Sequence, residues 1–389
     1  MIRNKGRLDR VLREIDPVRL KRVLTEMIGI YSPSGKERDL QLYLEDLLQK
    51  SGFDVQKEEV EDDRFNLHLV IGSGRPDLYF IGHVDTVAYW DFDEQTPEEQ
   101  GGVIRGLGAA DMKGGCAAMV ETCIALGRAL KPEEMPCVGM CFVVGEEEIG
   151  DGSQAFLEKR RPEWVVIPEP TSLAACYSHY GYLEAVMETT GKKSHSSLPE
   201  FGHNAVESML KVLLHLGRQE VFLQGKSDLV YSIREMTSSQ AGFVVPDRCE
   251  TWIDIHLPPE VDPKTIKTII RKYAAEAHEF ITDLSMEISF DTAYQGYDLG
   301  ADNHLSGLLK PIYEELGVPY FVDVFRSHSD GNLFHQAGVK PVILGPGSLE
   351  TAHTPDEHTS LAEVVGASRI FAALCLALDR NTIITPSID

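Results

Sequence analysis

Leu78-Tyr79-Phe80-Ile81-Gly82-His83-Val84-Asp85 is an apolar run that ends in a glycine, a histidine and an aspartate. A short apolar run bounded by a turn signal reads as a strand buried on both faces. His83 and Asp85 stand two apart in extended chain, so their side chains leave the same face. The pattern recurs. Gly106-Leu107-Gly108 leads to Asp111, Val138 to Val144 runs into Glu146-Glu147-Glu148, and Trp164 to Ile167 runs into Pro168-Glu169. Pro341 to Leu344 is followed, after Gly345-Pro346-Gly347, by Ala352-His353. In open α/β sheets, ligands bind outside the carboxyl ends of the strands. Two histidines and several carboxylates at separate strand ends therefore predict one convergent metal site, and a metallohydrolase.

At 389 residues the chain exceeds one typical core, and two domains are expected. Asp16-Pro17 reads as an N-cap and first helical residue, with Leu20, Val23, Leu24, Met27 and Ile28 on one face. Ser34 and Glu37 have capping-box spacing and open a second helix that stops near Gly52. Alanine-rich Met112–Leu130 reads as a buried helix. The alternation of strands and helices up to Glu169 predicts an α/β domain, a mostly parallel sheet flanked by helices. From about Tyr180 the texture changes. Strands at Tyr182–Thr190, Arg248–Leu257 and Leu284–Phe290 enclose helices at His203–Gly217 and from Asp262 through Phe280. That order predicts an inserted α+β two-layer domain over residues 180–293. The catalytic domain is then discontinuous, 1–179 plus 294–389.

A net charge of −24 argues against nucleic-acid phosphates or anionic membranes as partners. The seven cysteines are scattered without a CxxC pair, which fits a reducing compartment. Met1 to Arg13 is charged and lacks the apolar core of a signal peptide. No run approaches the roughly 18–20 apolar residues of a membrane span. A cytoplasmic location is expected.

Gly106-Leu107-Gly108-Ala109-Ala110-Asp111 departs from the dinucleotide fingerprint at its third glycine, where Asp111 would meet an anionic pyrophosphate. A carboxylate there suits a cation, and a short one can bridge two. Glu146-Glu147-Glu148 sets three adjacent carboxylates at the end of an apolar strand, where they repel unless a cation or proton is shared. In extended backbone neighbouring side chains diverge, so one can bind metal while the next faces an attacking water. A solvated acidic turn is the alternative reading of the same run. Two divalent ions would balance Asp111, Glu148, Glu169 and one bridging hydroxide, with His83 and His353 neutral. Paired metals acidify water and polarise a carbonyl, and a nearby carboxylate can carry the proton to a leaving amine.

Taken in order, Gly82-His83-Val84-Asp85, Gly106-x-Gly-x-x-Asp111, Glu146-Glu147-Glu148-Ile149-Gly150, Pro168-Glu169-Pro170 and Ala352-His353-Thr354-Pro355-Asp356-Glu357 resemble the motifs of the co-catalytic zinc amidohydrolases and metallopeptidases. That family includes acetylornithine deacetylase, succinyl-diaminopimelate desuccinylase, aminoacylase and glutamate carboxypeptidase. The segment from Leu344 to Glu357 looks especially like acetylornithine deacetylase. The resemblance implies His83, Asp111 and Glu169 around one ion and Asp111, Glu148 and His353 around the other. It implies Glu147 as general base and Asp85 as the partner behind His83. Gly150 anchors the glutamate motif in that register, rather than in the one a residue earlier. The implied cofactor is two divalent ions, zinc by default, with cobalt or manganese fitting the same ligands.

Gly191-Lys192-Lys193-Ser194-His195-Ser196-Ser197 and Gly202-His203-Asn204-Ala205 resemble the family's lid signature. There the histidine matching His195 stabilises the oxyanion, often in the active site of a dimer partner. The insertion is thus expected to be a lid and dimerisation domain, and the protein a homodimer. Two positions depart from relatives. Phe243, before Val244-Val245-Pro246, stands where asparagine is frequent, and His256, after Asp254-Ile255, where arginine is. Both positions help hold a substrate carboxylate in relatives, so a neutral or differently placed terminus is implied. His328, before Ser329-Asp330-Gly331, matches a segment near the substrate pocket. The expected reaction is hydrolysis of the amide in a small N-acyl amino acid or related N-acyl amine by metal-activated hydroxide. A dipeptidase or exopeptidase with the same machinery is the alternative. A metal-binding regulatory protein without turnover is a third reading, which the complete ligand set disfavours.

Overall fold

In the computed structural model the described residues are 5–88, 96–223, 225–239 and 242–378. The first four residues of the charged opening segment, and the end of the segment expected to run to 389, lie outside them. The chain opens with helices α1 (Lys5–Glu14), α2 (Pro17–Gly29) and α3 (Arg38–Lys50), then strands β1 (Gln56–Glu61), β2 (Arg64–Ile71) and β3 (Leu78–His83). Short β4 (Glu98–Gln100) and β5 (Val103–Arg105) precede α4 (Lys113–Ala129), β6 (Val138–Val143), α5 (Asp151–Lys159), β7 (Trp164–Ile167) and β8 (Ala175–His179). Next come β9 (Gly181–Thr190), α6 (Ala205–Gly217), β10 (Val230–Ser238), β11 (Arg248–Leu257), α7 (Pro263–Glu276), β12 (Ser285–Tyr294) and β13 (Tyr297–Asp298). The chain returns through α8 (His304–Leu316), β14 (Val322–Phe325), α9 (Asp330–Gln336), β15 (Lys340–Ile343), β16 (His358–Ser360) and α10 (Leu361–Ala377).

These elements form two compact units. One holds the chain up to Tyr177, Leu299–Asp323 and everything from Ser329 on; the other holds Ser178–Asp298 with Val324–His328. The expected insertion, 180–293, omits that last piece. His328 stacks on the ring of Tyr182 within the second unit, centroids 4.6 Å apart, a contact that no local pattern announces.

Within the first unit the strands lie in the order β1-β2-β6-β3-β7-β15-β8. The fold is α/β as expected, with a qualification. The centre, β6-β3-β7-β15, is parallel, while β1, β2 and β8 pair antiparallel at the margins. β3 and β6 are buried along their whole length, as strands covered on both faces must be. Helix α4 is buried except for its last turn, and packs beside α1, α2 and α10. Its one buried acid, Glu121, receives the Arg19 guanidinium at 2.6 and 2.8 Å and the Asp16 N–H at 2.7 Å. A buried charge is tolerable only when paired in this way. Asp16 also caps α2 by accepting the Val18 N–H. The capping box expected at Ser34 and Glu37 does not form. Ser34 Oγ donates to Asp85 at 2.7 Å and Glu37 pairs with Arg64, so both side chains serve tertiary partners and α3 starts without a side-chain cap.

The second unit is an antiparallel sheet, β10-β11-β9-β12, with α6 and α7 on one face. Leu183, Ala185, Met187, Ile253 and Ile255 from the sheet meet Met209, Val212, Ile266 and Ile270 from the helices. Strand β10 went unrecognised in the sequence because nearly all its residues are exposed, leaving no buried face to set a period of two. Among the described residues no helix is long and apolar enough to cross a membrane.

The carbonyl of Pro168, just past β7, is wedged between Gly115 at the start of α4 and Gly345 after β15. A Cβ on either glycine would lie 2.2 Å from that oxygen. Gly115→Ala is therefore expected to destabilise the fold by about 1–3 kcal/mol through overpacking. Gly307→Ala, on α8 with open space around it, should be neutral or stabilising by up to about 1 kcal/mol. Urea midpoints of the two variants check the contrast.

Candidate active site

His83 closes β3 where α4 begins. Gly82 leaves no room for a side chain, since a Cβ would stand 2.7 Å from the Cys116 sulfur. Cys116 Sγ donates to the His83 carbonyl at 3.1 Å, fixing the strand end against the helix. His83 Nδ1 lies 3.0 Å from the carbonyl of Asp85. A carbonyl only accepts, so the hydrogen sits on Nδ1 and Nε2 is the nitrogen turned to the site. Around Nε2 stand Asp111 Oδ1 at 3.1 Å, Glu169 Oε1 at 3.7 Å and Glu146 Oε2 at 3.8 Å. The Asp85 carboxylate, expected behind His83, is 3.6 Å from Nδ1. Its stronger contacts are elsewhere: it accepts the N–H groups of Glu146 and Glu147 at 3.2 and 3.0 Å and the Ser34 hydroxyl.

Those two N–H contacts hold the start of the glutamate run against Asp85. After β6 the chain curls: Ile149 and Gly150 both donate to the Gly145 carbonyl, at 3.2 and 2.7 Å. Gly145 has φ +74°, and a Cβ there would meet Asp151 Oδ1 at 2.0 Å. Glu146 to Ile149 is thus a turn and not the extended segment expected. Glu146 and Glu147 carry their carboxylates inward, whereas Glu148 and Ile149 are exposed. Glu147 Oε1 lies 3.1 Å from His353 Nε2. Two groups of ligand atoms result, each within 4.8 Å of one another: His83, Asp111 and Glu169, and Asp111, Glu147 and His353. Glu148, expected as a ligand, belongs to neither group. Glu147 occupies its place, and Glu146 stands beside His83.

Asp111 is common to both groups. Its Oδ1 faces His83 and its Oδ2 faces His353 Nε2 at 3.5 Å. His353 sits in left-handed backbone at φ +57°, uncommon for a residue with a side chain and a mark of functional positions.

Burial opposes charge on His83, but the hydrogen bond to Asp111 and the fields of Glu169, Glu146 and Asp85 outweigh it and hold its pKa well above the imidazole range. His353 is raised likewise, burial being overcome by Glu147 and Asp111. Burial, reinforced by neighbouring carboxylates, pushes Glu169 and Glu146 well above the usual range, and Asp330 adds to the field on Glu146. Asp111 is the exception: burial is overcome by His83 and His353, and its carboxyl is held below the ordinary value. Glu169 Oε1 is buried without any hydrogen-bond partner. An orphaned carboxylate oxygen, two imidazoles and a shared aspartate are a donor set that fits a pair of divalent cations.

The other residues singled out in the sequence lie in the second unit. His195 Nδ1 accepts the Ser197 N–H at 3.2 Å and lies 2.7 Å from Ser197 Oγ, so the ring carries its hydrogen on Nε2. The tip is held by Ser196 N–H to the Phe243 carbonyl and Val245 N–H to the Ser194 carbonyl, both 2.9 Å. Phe243 is 85% exposed at φ +56°. His256 stands beside the Tyr182 ring with its Nδ1 buried and unpartnered, and burial lowers its pKa.

Because neighbouring carboxylates raise the proton affinity of His83 and His353, and burial raises that of Glu146 and Glu169, ion uptake should expel protons. Titration of chelated protein with Zn²⁺ in buffers of different ionisation enthalpy is expected to show proton release, with affinity rising from about pH 6 to pH 8. Affinity independent of pH would contradict the raised histidines.

Comparison with known proteins identifies the family. The model of peptidase family M20/M25/M40 matches residues 79–377. A probable carboxypeptidase of Aspergillus clavatus is 28% identical over 384 residues, covering 90% of this chain and 86% of that one. The acetylornithine deacetylase of Proteus mirabilis is 27% identical over 354 residues, covering 85% and 88%. Among solved structures, a tripeptidase from Staphylococcus aureus superposes with a TM-score of 0.78 at 20% identity, over 93% of this chain and 99% of that one. The chain belongs to peptidase family M20/M25/M40 and is a metal-dependent amidohydrolase.

Proposed function

We propose that this enzyme hydrolyses the amide bond of a small N-acyl amino acid or related N-acyl amine. Two divalent ions, zinc by default, would be held by His83, Asp111 and Glu169 and by Asp111, Glu147 and His353. The observation that carries the reading is Asp111, whose two carboxylate oxygens face the two histidines. When bound, the ions supply Lewis acidity, polarising the amide carbonyl and acidifying the attacking water.

The chain's own residues do the rest. Glu146 is assigned as general base, the role the motif had given Glu147. It stands beside His83 yet outside both ligand groups, and burial, with Asp330 near, raises its affinity for a proton despite His83. It takes the proton of the attacking water and delivers it to the leaving nitrogen. Asp85 grips the N–H groups of both glutamates, so base and ligand keep their spacing. His195 is assigned as donor, through Nε2–H, to the substrate oxygen as charge develops there. In this reading it is delivered by the lid of a homodimer. Neither Phe243 nor the half-buried His256, whose pKa is lowered by burial, supplies a cation, so a substrate carboxylate is not clamped at those positions.

The deacetylase relative supports deacylation, and the carboxypeptidase relative supports an exopeptidase acting with the same residues. Metal-reconstituted protein should be assayed on N-acetyl amino acids and free dipeptides, with chelated protein as control. Chelator-sensitive cleavage of the acylated set upholds the proposal, cleavage of dipeptides alone installs the exopeptidase, and no cleavage of either sinks both. On the active set, Glu146→Gln should lower kcat by about 10²–10⁴-fold with ions still bound. Glu148→Gln should stay within a few-fold of wild type; the opposite ranking would restore the register of the motif. His195→Ala should lose about 10²–10³ in kcat.

A further inference from the structure

Glu357 appears in the last motif without a role, yet its surroundings are unusual. Its side chain is buried. Its Oε2 accepts the N–H of Gly108, and its Oε1 accepts those of Ala110 and Asp111, each at 3.0 Å. Its main-chain carbonyl accepts the N–H of Gly106 at 3.1 Å. Its own N–H donates to the carbonyl of Thr354, at 3.1 Å, closing the turn that begins at His353. One residue therefore ties the loop that presents Asp111 to the turn that presents His353.

The chemistry of the side chain matters. A carboxylate accepts on both oxygens, so it can satisfy N–H groups on two sides, and such charge-assisted bonds are roughly twice as strong as neutral ones. A glutamine could satisfy only one side, turning its own N–H₂ toward the N–H it should accept. Gly108, whose N–H is one of the three, fits the loop because it is a glycine. It has φ +79°, and a Cβ there would lie 2.8 Å from the Thr86 methyl. Burying a carboxylate is costly, and loop closure alone would be met by exposed turn residues. What the burial achieves is a fixed direction for the backbone at Asp111, the residue on which both ligand groups depend.

We propose that Glu357 is a positioning residue for the pair of ions: it holds the Asp111 carboxylate between His83 and His353 so that both ions bind together. The proposal rests on the reading of Asp111 as a shared ligand. Metal-free wild type, Glu357→Gln and Glu357→Asp are titrated with Zn²⁺ alone for affinity and stoichiometry, and with Co²⁺ for the visible ligand-field spectrum. Glu357→Gln is expected to weaken the second ion by about 10- to 100-fold and to shift the Co²⁺ spectrum. Glu357→Asp keeps the charge but is too short to reach all three N–H groups, and should show an intermediate loss. Glu121→Gln, which disturbs a buried carboxylate paired with Arg19, is the control, expected to lower stability without changing either ion. Wild-type affinity and spectrum in Glu357→Gln, or a loss no larger than that of Glu121→Gln, overturn the proposal. If Glu357→Gln does not fold, unchanged affinity in Glu357→Asp overturns it equally. If wild type binds fewer than two ions, the shared-ligand reading fails and takes the proposal with it.

Discussion

Asp111, Glu146, Glu147 and Glu169 are gathered around two imidazoles at one end of a mostly buried sheet, and their mutual repulsion is the constraint to which the rest of the unit answers. Two unit charges about 4 Å apart interact by roughly 4 kcal/mol at the effective dielectric of a protein, against a total stability on the order of 5–15 kcal/mol. Such a cluster cannot stay fully ionised without counter-charge. The histidines are raised by the carboxylates around them and Glu146 and Glu169 are pushed up by burial, so both kinds of group favour taking up protons. Under the proposed function, two divalent cations held by these residues would answer the same demand and would supply Lewis acidity for amide hydrolysis.

Holding repelling groups in place requires a rigid support, and two further buried carboxylates provide it. Asp85 captures successive N–H groups of the glutamate turn, and Glu357 captures three from the Asp111 loop. Each is an acid used as a clamp for backbone. Close packing completes the support. Gly82 admits the sulfur of Cys116, while Gly115 and Gly345 admit the carbonyl of Pro168, one residue before Glu169. Changes at these glycines act on the ligands through the backbone, without touching a ligand atom.

The second unit follows a different design. Its core is an ordinary two-layer packing of sheet on helices. Its distinctive feature is the tip where His195 and Phe243 are held by backbone hydrogen bonds. Ser197 sets the His195 tautomer with a donor on Nε2, which suits stabilisation of developing negative charge without a proton transfer. Phe243 presents an exposed ring at this tip.

The amino-acid sequence by itself determined the strand ends that bear His83, Glu169 and the glutamate run, and the buried character of α4 and β3. These depend on apolar runs, glycine turns and caps such as Asp16, all of which act over a few residues. The alternation of elements likewise sufficed for the α/β class. What tertiary structure alone decided are the contacts between distant segments. Glu147 rather than Glu148 stands with Asp111 and His353 in a turn whose N–H groups are received by Asp85, just past the end of β3. Ser34 and Glu37 leave their helix uncapped because Asp85 and Arg64 compete for them. The antiparallel margins of the sheet, the exposed strand β10, the return of His328 to Tyr182 and the clamp of Glu357 follow the same rule. Apart from the local β1–β2 hairpin, these are fixed by partners elsewhere in the chain, whose positions are set only when the core closes.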